Sequence, residues 1–326
     1  MIDGIRARKR WFLTVSLLVL SACTAPLHKA EVTPEAALQP SSDRFWRHID
    51  DAVDSDWFYL LNSHVEALEW RLRMIDSAHH AIDMETFLWK GDRGGAQVLS
   101  HLLAAADRGV QVRILLDDSF TPHQGLTLLS IDSHPNIELR VYNPYGNRGG
   151  GMVGRTLFNL GDFQRVNHRL HNKTLLVDGW AANVGGRNLA EEYFGLHDEY
   201  NFRDLEVVAM GGSVAAVSEH FAQFWNSGWS FPAADVLAVD PGDADLQSLR
   251  DTLDTLVGPA QVASEAALEE VWQRAAVRAV SGTAQFVADS PAHQDPALAE
   301  EQPTELAEYL VASIDAARFE AVSYTH

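Results

Sequence analysis

The amino-acid sequence predicts an α/β fold, in which a mixed, largely parallel sheet is flanked by helices on both faces. Two apolar segments, at residues 81–88 and 110–116, are typical of buried strands, and the residues between them show the apolar spacing of a helix. Strand, helix and strand in this order form the βαβ unit of an α/β sheet. The chain has 326 residues, of which 46% are hydrophobic, and this is enough for a sizeable core.

The remaining elements can be placed in chain order around this unit. A helix is expected to begin near residue 63, because apolar side chains recur at helical spacing at Val65, Leu68, Leu72 and Ile75. The helix of the βαβ unit is predicted to end at Arg108 and Gly109, with a buried face formed by Val98, Leu99, Leu102, Leu103 and Ala106. Further strands are predicted at residues 137–141, 175–177 and 205–210, and a closing amphipathic helix at 213–225.

The segments on either side of this domain differ from it in composition. Residues 24–60 contain Pro, Ala, Ser and mixed charges without periodicity, which predicts a tether. Aromatic residues at 45–46 and 57–59 are expected to cover the edge of the domain, and a membrane-surface belt is less favoured because no basic polar face accompanies them. Residues 233–300 are acidic and rich in alanine, with a helix predicted around 268–280, and another helix is predicted at 305–317.

The first 23 residues have the features of an export signal. Basic residues are followed by an apolar run at 11–20, which is short for a membrane span. The run ends in Leu20-Ser21-Ala22-Cys23, which resembles a bacterial lipobox and implies that Cys23, the only cysteine, becomes the lipidated first residue of the mature protein. We therefore expect a lipoprotein anchored in the cell envelope and facing the periplasm. The alternative is an ordinary cleaved signal peptide with an incidental cysteine.

The charge balance argues against one class of partner. Lys and Arg total 25 and Asp and Glu total 45, so the formal net charge is -20. Contact with nucleic-acid phosphates depends mainly on Lys and Arg, and this composition therefore disfavours a nucleic-acid partner. A lipid or a small phosphodiester fits the chain better as a substrate.

The strongest functional pattern lies between residues 165 and 188. Its fixed positions are His171, Lys173, Asp178, Gly185, Gly186 and Asn188. The apolar run at 175–177 predicts a short buried strand, and we expect His171 and Lys173, two residues apart, to point from the same face of that strand. Imidazole can attack phosphorus, an ammonium can hold the anionic oxygens, and an amide at the Gly-Gly turn can donate to the same phosphate. Such a set suits phosphodiester chemistry without a metal or another cofactor.

Simpler interpretations exist for these residues. A lone histidine near a strand is most often a satisfied polar residue or a surface residue. Lys173 weakens that interpretation, because the chain contains only the lysines Lys9, Lys29, Lys90 and Lys173, and a surface cation would more often be arginine here. Asp178 is either a turn former or a residue that orients its neighbours. Asp117 and Asp118 have the position of metal ligands, but no acidic cluster at ligand spacing accompanies them and a structural role is preferred.

The pattern H-x-K-x4-D, from His171 to Asp178, resembles the signature of the phospholipase D superfamily. The G-G-x-N that ends at Asn188 resembles the bacterial cardiolipin synthase branch, as do residues 191–194 and 201–204, and residues 83–118 resemble the opening of the superfamily domain. The resemblance implies that His171, Lys173 and Asp178 are catalytic and that Gly186 and Asn188 contact substrate. It also implies phosphatidylglycerol-like phospholipid substrates and phosphatidyl transfer through a phosphohistidine to give cardiolipin. Hydrolysis by water, or a catalytically silent lipid-binding lipoprotein, are the alternatives.

Superfamily members mostly carry two H-x-K motifs that meet at one site, where one histidine attacks phosphorus and the other protonates the leaving alcohol. In this chain only His171 has a lysine two residues later, so the resemblance implies half a site. We expect residues 61–231 to form the phospholipase D-like domain, residues 232–300 a connector, and residues 301–326 the truncated start of a second half. The alternative is a homodimer that brings two copies of His171 together.

Overall fold

The computed structural model describes residues 28–50, 55–121, 124–148, 159, 162–237, 239–291 and 305–317. Its strands are β1 (Trp57–Leu61), β2 (Ala81–Thr86), β3 (Gln111–Asp117), β4 (Ile137–Tyr142), β5 (Thr174–Val177), β6 (Ala181–Gly185), β7 (Glu206–Met210), β8 (Ser230–Pro232) and β9 (Val280–Ser281). They form one nine-stranded mixed sheet in the order β8-β4-β3-β2-β5-β6-β7-β1-β9. The predicted α/β class is confirmed.

The helices lie between these strands and after them. They are α1 (Arg44–Asp50), α2 (His64–Asp76), α3 (Arg93–Asp107), α4 (Gly125–Asp132), α5 (Phe163–Val166), α6 (Val214–Trp225), α7 (Ala233–Val236), α8 (Leu246–Val257), α9 (Glu265–Arg278) and α10 (Glu305–Ala316). The predicted βαβ unit is β2, α3 and β3, with β2 and β3 parallel. Asp92 caps the start of α3 by accepting from the Gly95 amide at 3.1 Å. Gly109, at φ +96°, turns the chain after the helix, which is a conformation that favours glycine.

The prediction that the sheet is largely parallel is wrong. Among the described strands only β2 with β3 and β3 with β4 pair in parallel, and the other six pairings are antiparallel. The turn at residues 178–180 leaves only three residues between β5 and β6, and a parallel crossover needs a dozen or more. Gly179, at φ +72°, makes this reversal possible. A tight turn, and no crossover helix, therefore builds the part of the sheet that holds the motif.

Helices cover both faces of the sheet, as predicted. On one face α2 and α3 pack with α4, α8 and α9, and the buried side chains there include Ile114, Leu175 and Val177. On the other face α6 packs over Leu115 and Leu176. Alternate residues of β3 and β5 thus point into different cores, as the pleat of a strand requires.

Part of the segment predicted to be a tether lies within the domain. The helix α1 buries Trp46 and Ile49 completely, and β1 pairs with both β7 and β9. Trp46, Trp57 and Trp70 surround Trp272 of α9, with ring centroids 5.1, 6.0 and 5.1 Å away. The aromatic residues of this segment therefore pack inside the domain, which agrees with the preference for the domain over a membrane belt.

The signal-like start of the chain, with Cys23, lies outside the described residues. Within the described ranges, every helix is too short or too polar to cross a bilayer.

Candidate active site

The segment that carries His171 and Lys173 leads into β5 at one edge of the sheet. β5 is antiparallel to β2, and Thr174 pairs with Glu85 near the carboxyl end of β2. β3 and β4 run parallel to β2, so the segment lies at the carboxyl edge of these three strands. In α/β sheets this edge is where ligands bind. The predicted strand at 175–177 is confirmed, but the expectation that His171 and Lys173 lie on it is wrong, because both precede its first residue.

His171 and Lys173 are held close together but differ in exposure. His171 is exposed, whereas Lys173 is 5% exposed. The Lys173 Nζ donates to the carbonyl oxygen of His171 at 2.6 Å. Both side chains contact Phe87, whose ring centroid lies 4.7 Å from that of His171 and 5.3 Å from the Lys173 Nζ. The Lys173 ammonium is therefore held at the backbone carbonyl group of His171.

Burial changes the acid–base properties of Lys173. It lowers the pKa of this side chain to about 8, while the negative charges of Asp204, Asp117 and Glu85 oppose the effect. The ammonium form still predominates at neutral pH. Because a cation in a site of low polarity interacts strongly with phosphate oxygens, Lys173 is suited to hold an anionic group beside His171.

A cleft of about 340 Å³, here called the His171 cleft, opens at this edge. His171, Lys173 and Arg169 contribute to it from the motif, together with Glu85 of β2 and His220 of α6. Residues 286–289, here called the strap, line the same cleft with Leu306 of α10. Asp289 joins the strap to α10, because its Oδ1 accepts from the Leu306 amide at 2.9 Å. Two segments beyond the sheet domain therefore border the histidine.

Gly186 and Asn188 lie at the same edge of the sheet. A Cβ on Gly186 would collide with the carboxylate of Asp204, so a larger residue here would force that side chain to shift. The Gly186 amide donates to the Leu205 carbonyl at 3.3 Å. Asn188 accepts from the Leu88 amide at 3.2 Å and donates to the Tyr193 hydroxyl at 2.8 Å. The polar groups of the predicted substrate contacts thus take part in bonds within the protein.

Asp178 lies at the opposite end of β5 from Lys173. Four residues of extended chain lie between the two, and the five steps from residue 173 to residue 178 correspond to about 16 Å. Asp178 is 2% exposed and adopts φ +51°. Its carboxylate accepts from the Trp46 indole at 2.7 Å and from the backbone amides of His79, His80 and Ala81 at 2.8, 2.9 and 2.8 Å. The structure therefore brings His171 and Lys173 together, and places Asp178 where it holds the α2–β2 loop to the sheet.

A family model described as cardiolipin synthase, PLD-like domain, matches residues 72–225. These residues form a phospholipase D-like domain. The range covers β2 to α6, and thus His171 and the other fixed positions of the motif.

Several curated proteins contain a similar domain. The chain is 42% identical to cardiolipin synthase C of Escherichia coli K12 over 183 residues, which cover 56% of this chain and 38% of that protein. It is 31% identical to an uncharacterized protein of Helicobacter pylori 26695, over 64% of this chain and 41% of that protein. It is 29% identical to the major cardiolipin synthase ClsA of Bacillus subtilis 168, over 47% of this chain and 29% of that protein. The match therefore spans less than half the length of each relative.

Among solved structures, the domain is similar to Nuc from Salmonella typhimurium, a phospholipase D family member. The identity is 19% and the TM-score 0.39, over 55% of this chain and 97% of that one. Phosphatidylserine synthase of Haemophilus influenzae Rd KW20 gives 13% identity and a TM-score of 0.41, over 68% of this chain and 51% of that one.

Asp117, the last residue of β3, and Asp118, which follows it, have internal partners in the phospholipase D-like domain. Asp117 accepts from the backbone amides of Leu170 and Ser119, each at 2.8 Å. Asp118 accepts from the Tyr145 amide at 2.8 Å. Within the described ranges, no group of three or more His, Cys, Asp and Glu side chains is arranged to hold a metal ion. Asp117 fixes the residue that precedes His171, and this function is structural, as preferred from the sequence.

Two polar side chains of the His171 cleft, Glu85 and His220, are not among the residues predicted from the sequence. Glu85 is 1% exposed, and burial raises its pKa to about 7. The sequence contains a signal for it, because residues 81–86 read Ala-Ile-Asp-Met-Glu-Thr, with acids at alternate positions of an otherwise buried strand. Burying a carboxylate is costly unless it has partners, so two such acids on one face indicate a polar site. His220 lies on the buried side of α6 and has no comparable signal.

Proposed function

We propose that the phospholipase D-like domain supplies one half of a phosphatidyl-transfer site in a cardiolipin synthase-like enzyme. The observation that carries this proposal is the arrangement of His171 and Lys173. An exposed imidazole stands at the mouth of a cleft, and a buried ammonium is bonded to the backbone of the same residue. This arrangement presents a nucleophile or acid and an oxyanion-binding cation to a single phosphodiester.

The reaction requires two imidazoles, of which His171 supplies one. One imidazole nitrogen attacks the phosphorus of a phosphatidyl group, and the bond from phosphorus to the head-group oxygen breaks. The second histidine, protonated, donates its proton to the leaving oxygen, and a phosphohistidine remains. The hydroxyl of an acceptor phospholipid then attacks phosphorus, its proton passes to the second histidine, and the first imidazole is released. Lys173 holds the non-bridging oxygens in both steps.

The second imidazole has two sources under this proposal. A second H-x-K motif follows in a longer chain, with residues 232–300, of which α8, α9 and β9 pack on this domain, as the connector and 301–326 as the start of that half. The matched relatives are more than twice as long as their matched segments, which supports this source. The other source is a second copy of the chain, related by a two-fold axis.

The proposed setting is the bacterial cell envelope. Lipidation of Cys23 would anchor the protein to a membrane, with the domain facing the periplasm, where phospholipid substrates such as phosphatidylglycerol are close to His171. The net charge of -20 supports a lipid substrate over a nucleic acid.

Product analysis with defined phospholipid vesicles tests this function in the protein from its natural gene, including any sequence that follows residue 326. We expect cardiolipin and a released head group, and a phosphorylated histidine after acid-free quenching. His171→Ala is expected to abolish both. His80→Ala is the matched control, because His80 is an exposed histidine at the opposite end of β2 and is expected to leave both intact.

The same assay distinguishes water from a phospholipid as the acceptor, and catalysis from lipid binding alone. Phosphatidic acid without cardiolipin would identify water as the acceptor and make the protein a phospholipase. Phospholipid binding without phosphohistidine would contradict the enzymatic proposal and identify a lipid-binding lipoprotein.

A further inference from the structure

The His171 cleft contains a buried carboxylate that the proposed reaction does not use. Glu85 lies in β2, directly opposite Thr174 in the antiparallel pairing of β2 with β5. Its Oε1 accepts from the Thr174 hydroxyl at 3.0 Å, and its Oε2 accepts from the Asn172 amide at 3.5 Å. Asn172 and Thr174 are the two neighbours of Lys173 in sequence. One carboxylate thus holds the chain on both sides of the cation.

His220 approaches the same carboxylate from α6. Its Nε2 is 3.1 Å from the Asp289 carbonyl oxygen, which assigns the ring proton to Nε2 in the neutral form. Its Nδ1 has no hydrogen-bond partner among the described residues, and lies 3.9 Å from the Glu85 Oε1. The Nδ1 lone pair therefore faces a carboxylate oxygen. The distance is longer than a hydrogen bond, but it is short enough for the charge of one group to affect the protonation of the other.

We propose that Glu85, beside His220, is the positioning residue for Lys173, and that its carboxylate helps to keep the lysine cationic in the cleft. The inference rests on the proposed function, because it assigns Lys173 the task of holding phosphate oxygens. Glu85 does not touch substrate in this proposal. It acts by fixing residues 172–174 and by placing a negative charge beside the ammonium.

The charges around Glu85 determine its pH response. The charged or titratable groups around Glu85 are Lys173 on the segment before β5, His220 on α6 and Asp83 on the same strand as Glu85. Arg169 lines the same cleft. Burial lowers the pKa of His220, so its ring is neutral at neutral pH. Burial raises the pKa of Glu85 to about 7 and lowers that of Lys173 to about 8. The carboxylate therefore becomes negative just below the pH at which Lys173 begins to lose its proton.

As a consequence, Lys173 stays protonated over a wider range of pH. A nearby negative charge raises the pKa of an ammonium, and Glu85 acts on Lys173 in this direction. Asp117 and Asp204 act in the same direction on Lys173. Glu85 differs from these two in that it also bonds to both neighbours of the lysine, so it links the charge of the site to its geometry.

Lysine NMR tests the inference without requiring catalysis. The chain has four lysines, so a sample labelled at the lysine ε-carbon gives at most four signals, and Lys173→Arg assigns the one of interest. Glu85→Gln keeps the shape of the side chain and removes its charge. We expect this variant to lower the titration midpoint of Lys173 by up to about one pH unit, because Asp204 and Asp117 act more strongly on the lysine and remain in place. Glu85→Asp, which keeps the charge, is expected to retain most of the parent midpoint.

A matched control is available on another lysine. Lys90 is paired with the carboxylate of Glu192. Glu192→Gln is expected to move the Lys90 signal and leave that of Lys173 in place. The inference is overturned if the Lys173 midpoint is the same in Glu85→Gln as in the parent, or if Glu85→Asp behaves like Glu85→Gln.

Circular dichroism would detect a loss of folding in Glu85→Gln, and a second variant then takes its place. If Glu85→Gln does not fold, Thr174→Val removes the stronger donor to the carboxylate. We expect it to lower the Lys173 midpoint, because the carboxylate then protonates more readily, and an unchanged midpoint overturns the inference. The NMR result is independent of phosphohistidine trapping. If the Lys173 midpoints are as expected but no phosphohistidine forms, the proposed function is contradicted. If phosphohistidine forms but the midpoints are unchanged, the role of Glu85 is contradicted.

Discussion

The indole nitrogen of Trp46 donates to the Oδ2 of Asp178 at 2.7 Å, across 132 positions of the sequence. This bond joins α1, at the start of the described chain, to the last position of the H-x-K-x4-D motif. It gives the aspartate a structural task that can be separated from the chemistry of His171 by measurement.

Asp178→Ala is expected to destabilise the domain strongly. The substitution leaves an indole and three backbone amides without their acceptor, and each buried donor without a partner costs about 1 to 3 kcal/mol. We expect the free energy of unfolding in urea to fall by about 3 kcal/mol or more. Glu270→Ala, at an exposed carboxylate, is the control and is expected to change it by less than about 0.5 kcal/mol. An Asp178→Ala protein as stable as the parent would contradict the structural role.

Residues 44–61 are expected to be required for folding. Trp46, Ile49 and Trp57 are at most 1% exposed, and burying each such side chain contributes about 1.5 to 3 kcal/mol. The sum is comparable to the whole stability of a typical domain. A chain that starts at residue 62 is expected to lack a cooperative urea transition and near-ultraviolet dichroism, and a chain that starts at residue 28 is expected to keep both. Cooperative unfolding of the shorter chain would restore the tether interpretation of this segment.

Gly186→Ala is expected to disturb the edge of the sheet beside the motif. The new methyl group would collide with the Asp204 carboxylate, and overpacking of this kind costs about 1 to 3 kcal/mol of unfolding free energy. Gly91→Ala is the matched control, because a Cβ at Gly91 meets no atom within 4 Å. Thermal and urea unfolding of the two variants provides the comparison. Equal stabilities would mean that Asp204 moves aside freely.

The raised pKa of Glu85 predicts a specific dependence of stability on pH. A carboxyl whose folded pKa is about 7 and whose unfolded value is 4.5 binds more protons in the folded state between these values. Its contribution is therefore fully present below pH 4.5 and is lost as the pH rises to 7, by on the order of 3 kcal/mol. Relative to the parent, Glu85→Gln is expected to gain stability over this interval. Parallel pH profiles of unfolding for the two proteins would contradict a raised pKa.

Local periodicity was sufficient to predict much of the fold. The βαβ unit, β4, β5, β7, α2 and α6 were predicted because each has a repeating apolar pattern and a clear boundary. The direction of the strands was not predictable in this way. The antiparallel part of the sheet depends on the three-residue turn after β5 and on β1, whose partner β7 is remote in sequence. The short α1 and β1 lack periodicity, which is why the sequence predicts a tether there.

The candidate site was only partly predictable for a related reason. His171 and Lys173 are two residues apart, so their proximity follows from local geometry. Glu85 and His220 join them only through the pairing of β2 with β5 and the packing of α6. The sequence also suggested a common site for Asp178, but a four-residue strand separates it from Lys173.

The position of β1 has a consequence for synthesis. Trp57 of β1 is opposite Met210 of β7, about 150 residues further along the chain. At a translation rate of about 5 to 20 residues per second, the strand emerges roughly 8 to 30 s before its partner exists. During this interval β1, which is rich in aromatic residues, has no β7 strand to pair with. The nascent chain must therefore remain shielded or unfolded until β7 has been made, and the long-range pairing of β1 is expected to be among the last steps of folding.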